Sequence, residues 1–171
     1  GTNIVGGLGL WAINNTTLIS TSNPSITPRW VVEVDISDVI TDIPVFTNII
    51  QLPNNMLPTG DILLTSTNKL YITLIDSNTQ QNFIYQYDYI QNTVNPNFTI
   101  SLPWANTGGL FEMGGEIYVM STTSSRNLYK VITTPPYGVQ YINTYSLLSD
   151  SQGAASISNC ETPTPTPTKT L

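Results

Sequence analysis

The sequence predicts an all-β chain, and three observations carry that prediction. Short apolar runs alternate with polar residues as half-buried strands do, and clusters of Gly, Asn, Pro and Ser separate the runs. Glycines stand before such runs at positions 9, 60, 109 and 153, at intervals of 51, 49 and 44 residues. Charged residues are 9% of the chain, against roughly 25% in an average soluble domain, so Asn, Thr, Ser, Gln and Tyr must supply most of the polar surface.

Each interval reads as four strands. The first unit predicts strands from Leu10 to Ile13, Thr17 to Ser20, Trp30 to Asp35 and Val45 to Leu52, with a turn at Asn14-Asn15. The second predicts Asp61 to Thr65, Leu70 to Ile75 after the Asn68-Lys69 turn, Phe83 to Tyr89, and Phe98 to Leu102. The third predicts Leu110 to Met113, Glu116 to Met120, Asn127 to Ile132 and Val139 to Leu147. Its Gly114-Gly115 pair is a two-residue hairpin signal. The third strands align as Val31 to Asp35, Ile84 to Asp88 and Leu128 to Ile132, with apolar and polar residues in the same places.

Four antiparallel strands per repeat of about 50 residues match the blade of a β-propeller. Residues 1–160 are therefore expected to form a β-propeller segment, with blades at about 9–53, 60–103 and 109–148 and a closing strand at 153–160. A blade cannot cover both its faces alone, so the core is expected between blades. Three units are too few for a ring, which typically has 4–8 blades; further blades lie upstream, or several chains share one ring. A β-trefoil or a three-sheet prism is the alternative for three units. Residues 161–171 alternate Thr and Pro, which favours extended polyproline II geometry and predicts a linker, either a stalk or a solvated tail.

Composition excludes several functions. The net charge of -6 and a pI near 4.1 argue against nucleic acid, which needs clustered Lys and Arg. The five basic residues, Arg29, Lys69, Arg126, Lys130 and Lys169, are scattered. No run approaches the ~18 apolar residues of a membrane span, and no signal peptide is visible, so membrane insertion is not expected. The chain begins with Gly, as a processed product or a piece of a longer protein does. It has no His, and its lone Cys160 cannot form an internal disulfide. The usual proton shuttle is missing, and a Cys/His zinc site lacks its ligands; no cofactor or metal is expected. Cys160 is either buried beside the last strand or free to cross-link another chain.

Several stretches together resemble a known kind of module. Gly9-Leu10-Trp11-Ala12-Ile13-Asn14-Asn15, Thr59-Gly60-Asp61-Ile62-Leu63-Leu64, Gln86-Tyr87-Asp88-Tyr89, Gly109-Leu110-Phe111-Glu112 with Gly115-Glu116-Ile117-Tyr118-Val119, and Gly153-Ala154-Ala155-Ser156 before the Thr-Pro run are similar to a repeat of structural proteins of marine and aquatic bacteriophages. The resemblance covers nearly the whole chain. It implies a virion surface component such as a fibre, appendage or decoration, located on the virion or outside the cell and lacking an upstream blade. The partners it implies are other virion or filament proteins, copies of this chain among them. It supplies no catalytic motif, and no enzymatic activity is expected.

Candidate chemistry is thin. A glycosidase needs two carboxylates roughly 5–10 Å apart across a cleft, but Asp35 and Asp88 stand at equivalent strand ends and read as turn residues. Glu112 and Glu116 flank the Gly114-Gly115 hairpin and read as solvated. Asp76 and Asp150 lie in loops with oxygen-bearing neighbours suited to Ca²⁺, without the spacing of a dedicated calcium loop. Gly6-Gly7-Leu8-Gly9 lacks the Lys and helix of a phosphate cradle. The sequons at Asn14, Asn15 and Asn97 are what chance supplies in a chain this rich in Asn, Ser and Thr. Aromatic side chains on neutral polar loops suit sugar stacking, and a host-surface glycan is the candidate ligand. Trp104, Asn106, Asn54 and Asp150, on loops joining one unit to the next, form the candidate lectin-like site; Trp104 as a wedge between blades is the structural alternative. Trp11 and Trp30 belong to strands and are expected in the core.

Overall fold

A strand whose two faces meet different neighbours needs side chains alternating at period two, and among the described residues twelve strands form where the chain alternates. The computed structural model describes residues 10–22, 25, 27–37, 44–103, 107–121 and 126–145. The first sheet comprises β1 (Leu10–Ala12), β2 (Thr17–Thr21), β3 (Trp30–Asp35) and β4 (Val45–Gln51). The second comprises β5 (Met56–Leu64), β6 (Lys69–Asp76), β7 (Asn82–Asp88) and β8 (Thr93–Leu102). The third comprises β9 (Thr107–Met113), β10 (Glu116–Ser121), β11 (Arg126–Ile132) and β12 (Gly138–Tyr145).

Each sheet is a meander in chain order, and all its neighbouring strands are antiparallel. Among the described residues there is no helix, and therefore none long and apolar enough to cross a membrane. No ladder joins one sheet to another among them either. A trefoil barrel is made of such ladders.

Turns form where residues tolerate the backbone they require. Met113 pairs directly with Glu116, which leaves Gly114 (φ 61°) and Gly115 (φ 77°) as the whole loop. Both need positive φ, the requirement of a type I′ hairpin. Asn68 and Asn92 adopt the same left-handed region in the β5–β6 and β7–β8 turns, where Asn is the most tolerant residue after Gly.

Three strand starts depart from the sequence expectation by more than one residue. β5 begins at Met56 and not Asp61, because Met56, Leu57 and Pro58 pair with Asp76, Ile75 and Leu74 before a register shift between Pro58 and Ile62. That irregularity is what admits a proline within the strand. β8 begins at Thr93 and not Phe98, because Thr93 and Val94 pair with Asp88 and Tyr87 before a register shift opposite Tyr85 and Tyr87. β9 begins at Thr107 and not Leu110. The expected closing strand at 153–160, Cys160 and the Thr-Pro run at 161–171 lie outside the described residues.

The core sits between sheets. Ile62, Leu70, Ile72, Leu74 and Tyr87 of the second sheet share one cluster with Ile19, Val31 and Ile50 of the first. Leu63, Tyr71, Ile84, Phe98 and Ile100 of the second share another with Leu110, Ile117, Val119 and Val131 of the third. Along β6 the alternation sends Leu70, Ile72 and Leu74 one way and Tyr71 the other. The middle sheet is thus buried on both faces. Trp11 packs against both clusters from β1, whereas Trp30 is only half-buried at the start of β3.

Tyr87 is fully buried in the first cluster, and its hydroxyl finds no hydrogen-bond partner among the described residues. Burial, with Tyr85 beside it, pushes that hydroxyl's pKa well up. An unpaired buried hydroxyl costs more than it contributes. Tyr87→Phe is expected to raise stability by about 1 kcal/mol, read as a higher urea midpoint; a lower midpoint would show that the hydroxyl is paired.

A polar column and two clefts as the candidate functional site

Of the four residues that form the candidate lectin-like site, Asn54 alone lies within the described residues. It is an exposed turn residue between β4 and β5, and its backbone carbonyl accepts a hydrogen bond from Arg29 Nη1 at 2.6 Å. Trp104, Asn106 and Asp150 lie outside the described residues.

The acidic residues weighed for catalysis or calcium have local tasks. Asp35 accepts from the Ser37 amide at 2.9 Å, which holds its carboxyl below the ordinary range. Asp88 accepts from Lys69 Nζ at 2.6 Å and from the Gln91 amide at 2.9 Å. Those bonds, the lysine's first, hold its carboxyl low as well. Asp76 caps its turn through the Asn78 amide at 2.8 Å and accepts from Asn55 Nδ2 at 3.1 Å. Among the described residues no group of three or more His, Cys, Asp or Glu converges.

The aligned third strands carry a polar residue at one repeated position: Glu33, Gln86 and Lys130. Each is engaged. Glu33 accepts from Tyr89 Oη at 2.7 Å, across the boundary between the first and second sheets; burial and that bond push the Tyr89 hydroxyl up. Lys130 pairs with Glu116 at 2.7 Å, and the carboxylate raises the ammonium's pKa. Gln86 Nε2 donates to Tyr71 Oη at 2.6 Å, while its Oε1 accepts from Asn95 Nδ2 at 2.6 Å.

This last row crosses β6, β7 and β8 and connects two clefts. One, of about 220 Å³, lies between the second and third sheets and is lined by Thr65, Thr67, Tyr71, Glu112, Glu116 and Thr133. Glu112, expected to be solvated, is half-buried and lines this cleft. The other, also about 220 Å³, is lined by Lys69, Gln86, Asp88, Gln91 and Asn95. Hydroxyls, amides and carboxylates dominate both, a surface that exchanges hydrogen bonds with polar groups. Tyr71, Gln86 and Asn95 are not among the residues that the sequence singles out. The signal that marks Gln86 is a polar residue at the same place in all three third strands; Tyr71 and Asn95 carry no such signal.

No protein-family model matches the chain, and no curated protein does.

Proposed function

We propose that this chain is a non-enzymatic structural module of an extracellular particle, a fibre, appendage or surface protein of a phage virion, and that its three sheets are blades of a β-propeller. The observation that carries the reading is the middle sheet, buried on both faces against a sheet of the same kind. Blade stacking requires that arrangement. Supporting it, β5 lies beside both β1 and β9, and β8 beside β12. First strands thus neighbour first strands, as they do around a propeller axis. The engagement of Asp35, Asp76, Asp88, Glu33 and Glu116 in turns and pairs favours architecture over catalysis.

The sequence resemblance to bacteriophage structural repeats supplies the setting, and the Thr-Pro run at 161–171 would hold the folded part away from its attachment. Mass spectrometry of purified particles is expected to recover peptides of this chain in step with the other structural proteins. Particles repeatedly free of it would remove the virion assignment.

A further inference from the structure

We propose that the edge of the third sheet is a carbohydrate-binding platform, on which the Tyr141 ring stacks against the C–H face of a neutral pyranose while the Tyr141 hydroxyl and the Asn127 amide exchange hydrogen bonds with its hydroxyls. The inference rests on β11 and β12 alone and needs no particular arrangement of the sheets.

The platform is assembled by an irregularity in the ladder. Tyr141 and Thr144 are three apart on β12, and in a regular strand an odd separation puts two side chains on opposite faces. Here Tyr141 pairs with Tyr129 and Asn143 with Leu128, so Ile142 has no partner and the register shifts between the two pairs. Thr144 consequently pairs with Asn127, which shares a face with Tyr129 two residues along β11. Tyr129, Tyr141, Asn127 and Thr144 thus lie together on one face. Re-aiming a side chain in this way is a recurrent use of a β-bulge.

A chain of hydrogen bonds then fixes the outer ring. Thr144 Oγ1 donates to Asn127 Oδ1 at 2.6 Å. A hydroxyl has one proton, so the 2.7 Å contact between Tyr141 Oη and Thr144 Oγ1 is a donation from the tyrosine. Asn127 Nδ2 donates to Tyr129 Oη at 3.3 Å, and the Tyr129 ring meets Tyr141 edge to face, with centroids 5.7 Å apart. Tyr129 packs on the core between the second and third sheets, whereas Tyr141, one strand further out, is 52% exposed. Single exposed apolar residues are ordinary; a ring held in place at both its hydroxyl and its edge is pre-organised, which removes part of the entropic cost of binding.

The surroundings choose the ligand. An aromatic face beside hydroxyls and an amide matches a molecule with one apolar side and a polar rim, which is what a pyranose is. The tyrosine oxygen, having given its proton to Thr144, accepts from a sugar hydroxyl, and the second N–H of Asn127 donates to one. Arg126 and Lys130 alternate with Asn127 and Tyr129 and belong to the other face. With a chain net charge of -6, acidic sugars and phosphate-bearing nucleotides are disfavoured. A pyranose of ~12 non-hydrogen atoms at ordinary ligand efficiency binds with a Kd of about 1 mM.

The test is titration of the isotope-labelled 171-residue chain with the methyl glycosides of glucose, galactose, mannose and N-acetylglucosamine, read by amide NMR shifts. At least one is expected to bind near that Kd and to move the signals of Asn127, Tyr141 and Thr144, and methyl glucuronide is expected to bind more weakly. Tyr141→Ala should raise the Kd at least tenfold at an unchanged urea midpoint. Tyr141→Phe, which keeps the ring and loses its anchor and acceptor, should raise it severalfold and serves as the test if the alanine variant is less stable. Tyr145→Ala removes an aromatic ring 40% exposed on the same strand, opposite Arg126 on the other face, and should change nothing. No shift at these residues with any neutral glycoside at tenfold the expected Kd would overturn the proposal. So would full affinity in Tyr141→Ala, an equal loss in Tyr145→Ala, or tighter binding of the glucuronide.

Discussion

Ile72→Ala and Ile100→Ala are each expected to lower stability by about 2–5 kcal/mol, and the double variant by nearly the sum. Ile72 is 1% exposed in the cluster between the first and second sheets, and Ile100 is 3% exposed in the cluster between the second and third. Truncation removes the transfer free energy of the lost methyl and methylene groups and leaves a cavity that the sheets cannot collapse to fill. The two sites lie on opposite faces of one sheet and share no cluster, which is the condition for additivity. Against a total stability of about 5–15 kcal/mol, the double variant should be close to unfolding. Ile90→Ala, at a 71% exposed turn position, is the control and should stay within about 0.5 kcal/mol. Urea midpoints at unchanged slope are the readout. An Ile72→Ala variant as stable as Ile90→Ala would mean that the first two sheets do not pack as described.

The alternation behind this result is legible in the order of the amino acids alone. β3 spans Trp30–Asp35, the residues expected of it, and the three groups of four strands fall in chain order because each strand's polar and apolar sets are distinct. What the alternation hides is the start of β5 and β8. Pro58 and the Asn95-Pro96-Asn97 stretch read as loop, since proline cannot donate to a ladder, yet each lies in a strand whose pairing shifts register. Composition marks the breaker residue and not the irregular pairing that accommodates it.

The candidate site is less legible for a different reason. Trp104 stands out because an aromatic ring on a polar loop is conspicuous by itself, whereas Gln86 is conspicuous only beside its equivalents Glu33 and Lys130. A polar residue within a strand is ambiguous until its cross-strand neighbour is known, and that neighbour, Tyr71, is set by register. Glu112 shows the same limit: a glutamate two residues before a hairpin reads as solvated, and only the approach of the second sheet makes it part of a cleft wall.

Gln86→Leu is expected to destabilise the chain by about 1–3 kcal/mol, Tyr71→Phe by about 1, and the double variant by clearly less than the two combined. Gln86 is 8% exposed and Tyr71 3%, and the two stand directly opposite each other on β7 and β6. Removing the amide leaves the Tyr71 hydroxyl buried without its donor and takes an acceptor from Asn95 Nδ2. A buried group stripped of its partner costs its full desolvation, while deleting both partners removes the need for the bond. Burial raises the Tyr71 pKa and the Gln86 bond opposes that rise, so Gln86→Leu should also move the tyrosine's titration further up, measurable by ultraviolet absorbance. A structural role for Gln86 through packing alone would leave both signatures flat: additive stabilities and an unmoved phenol. Coupling of about 1 kcal/mol would instead show that Gln86 holds β7 to β6 through its hydrogen bond to Tyr71.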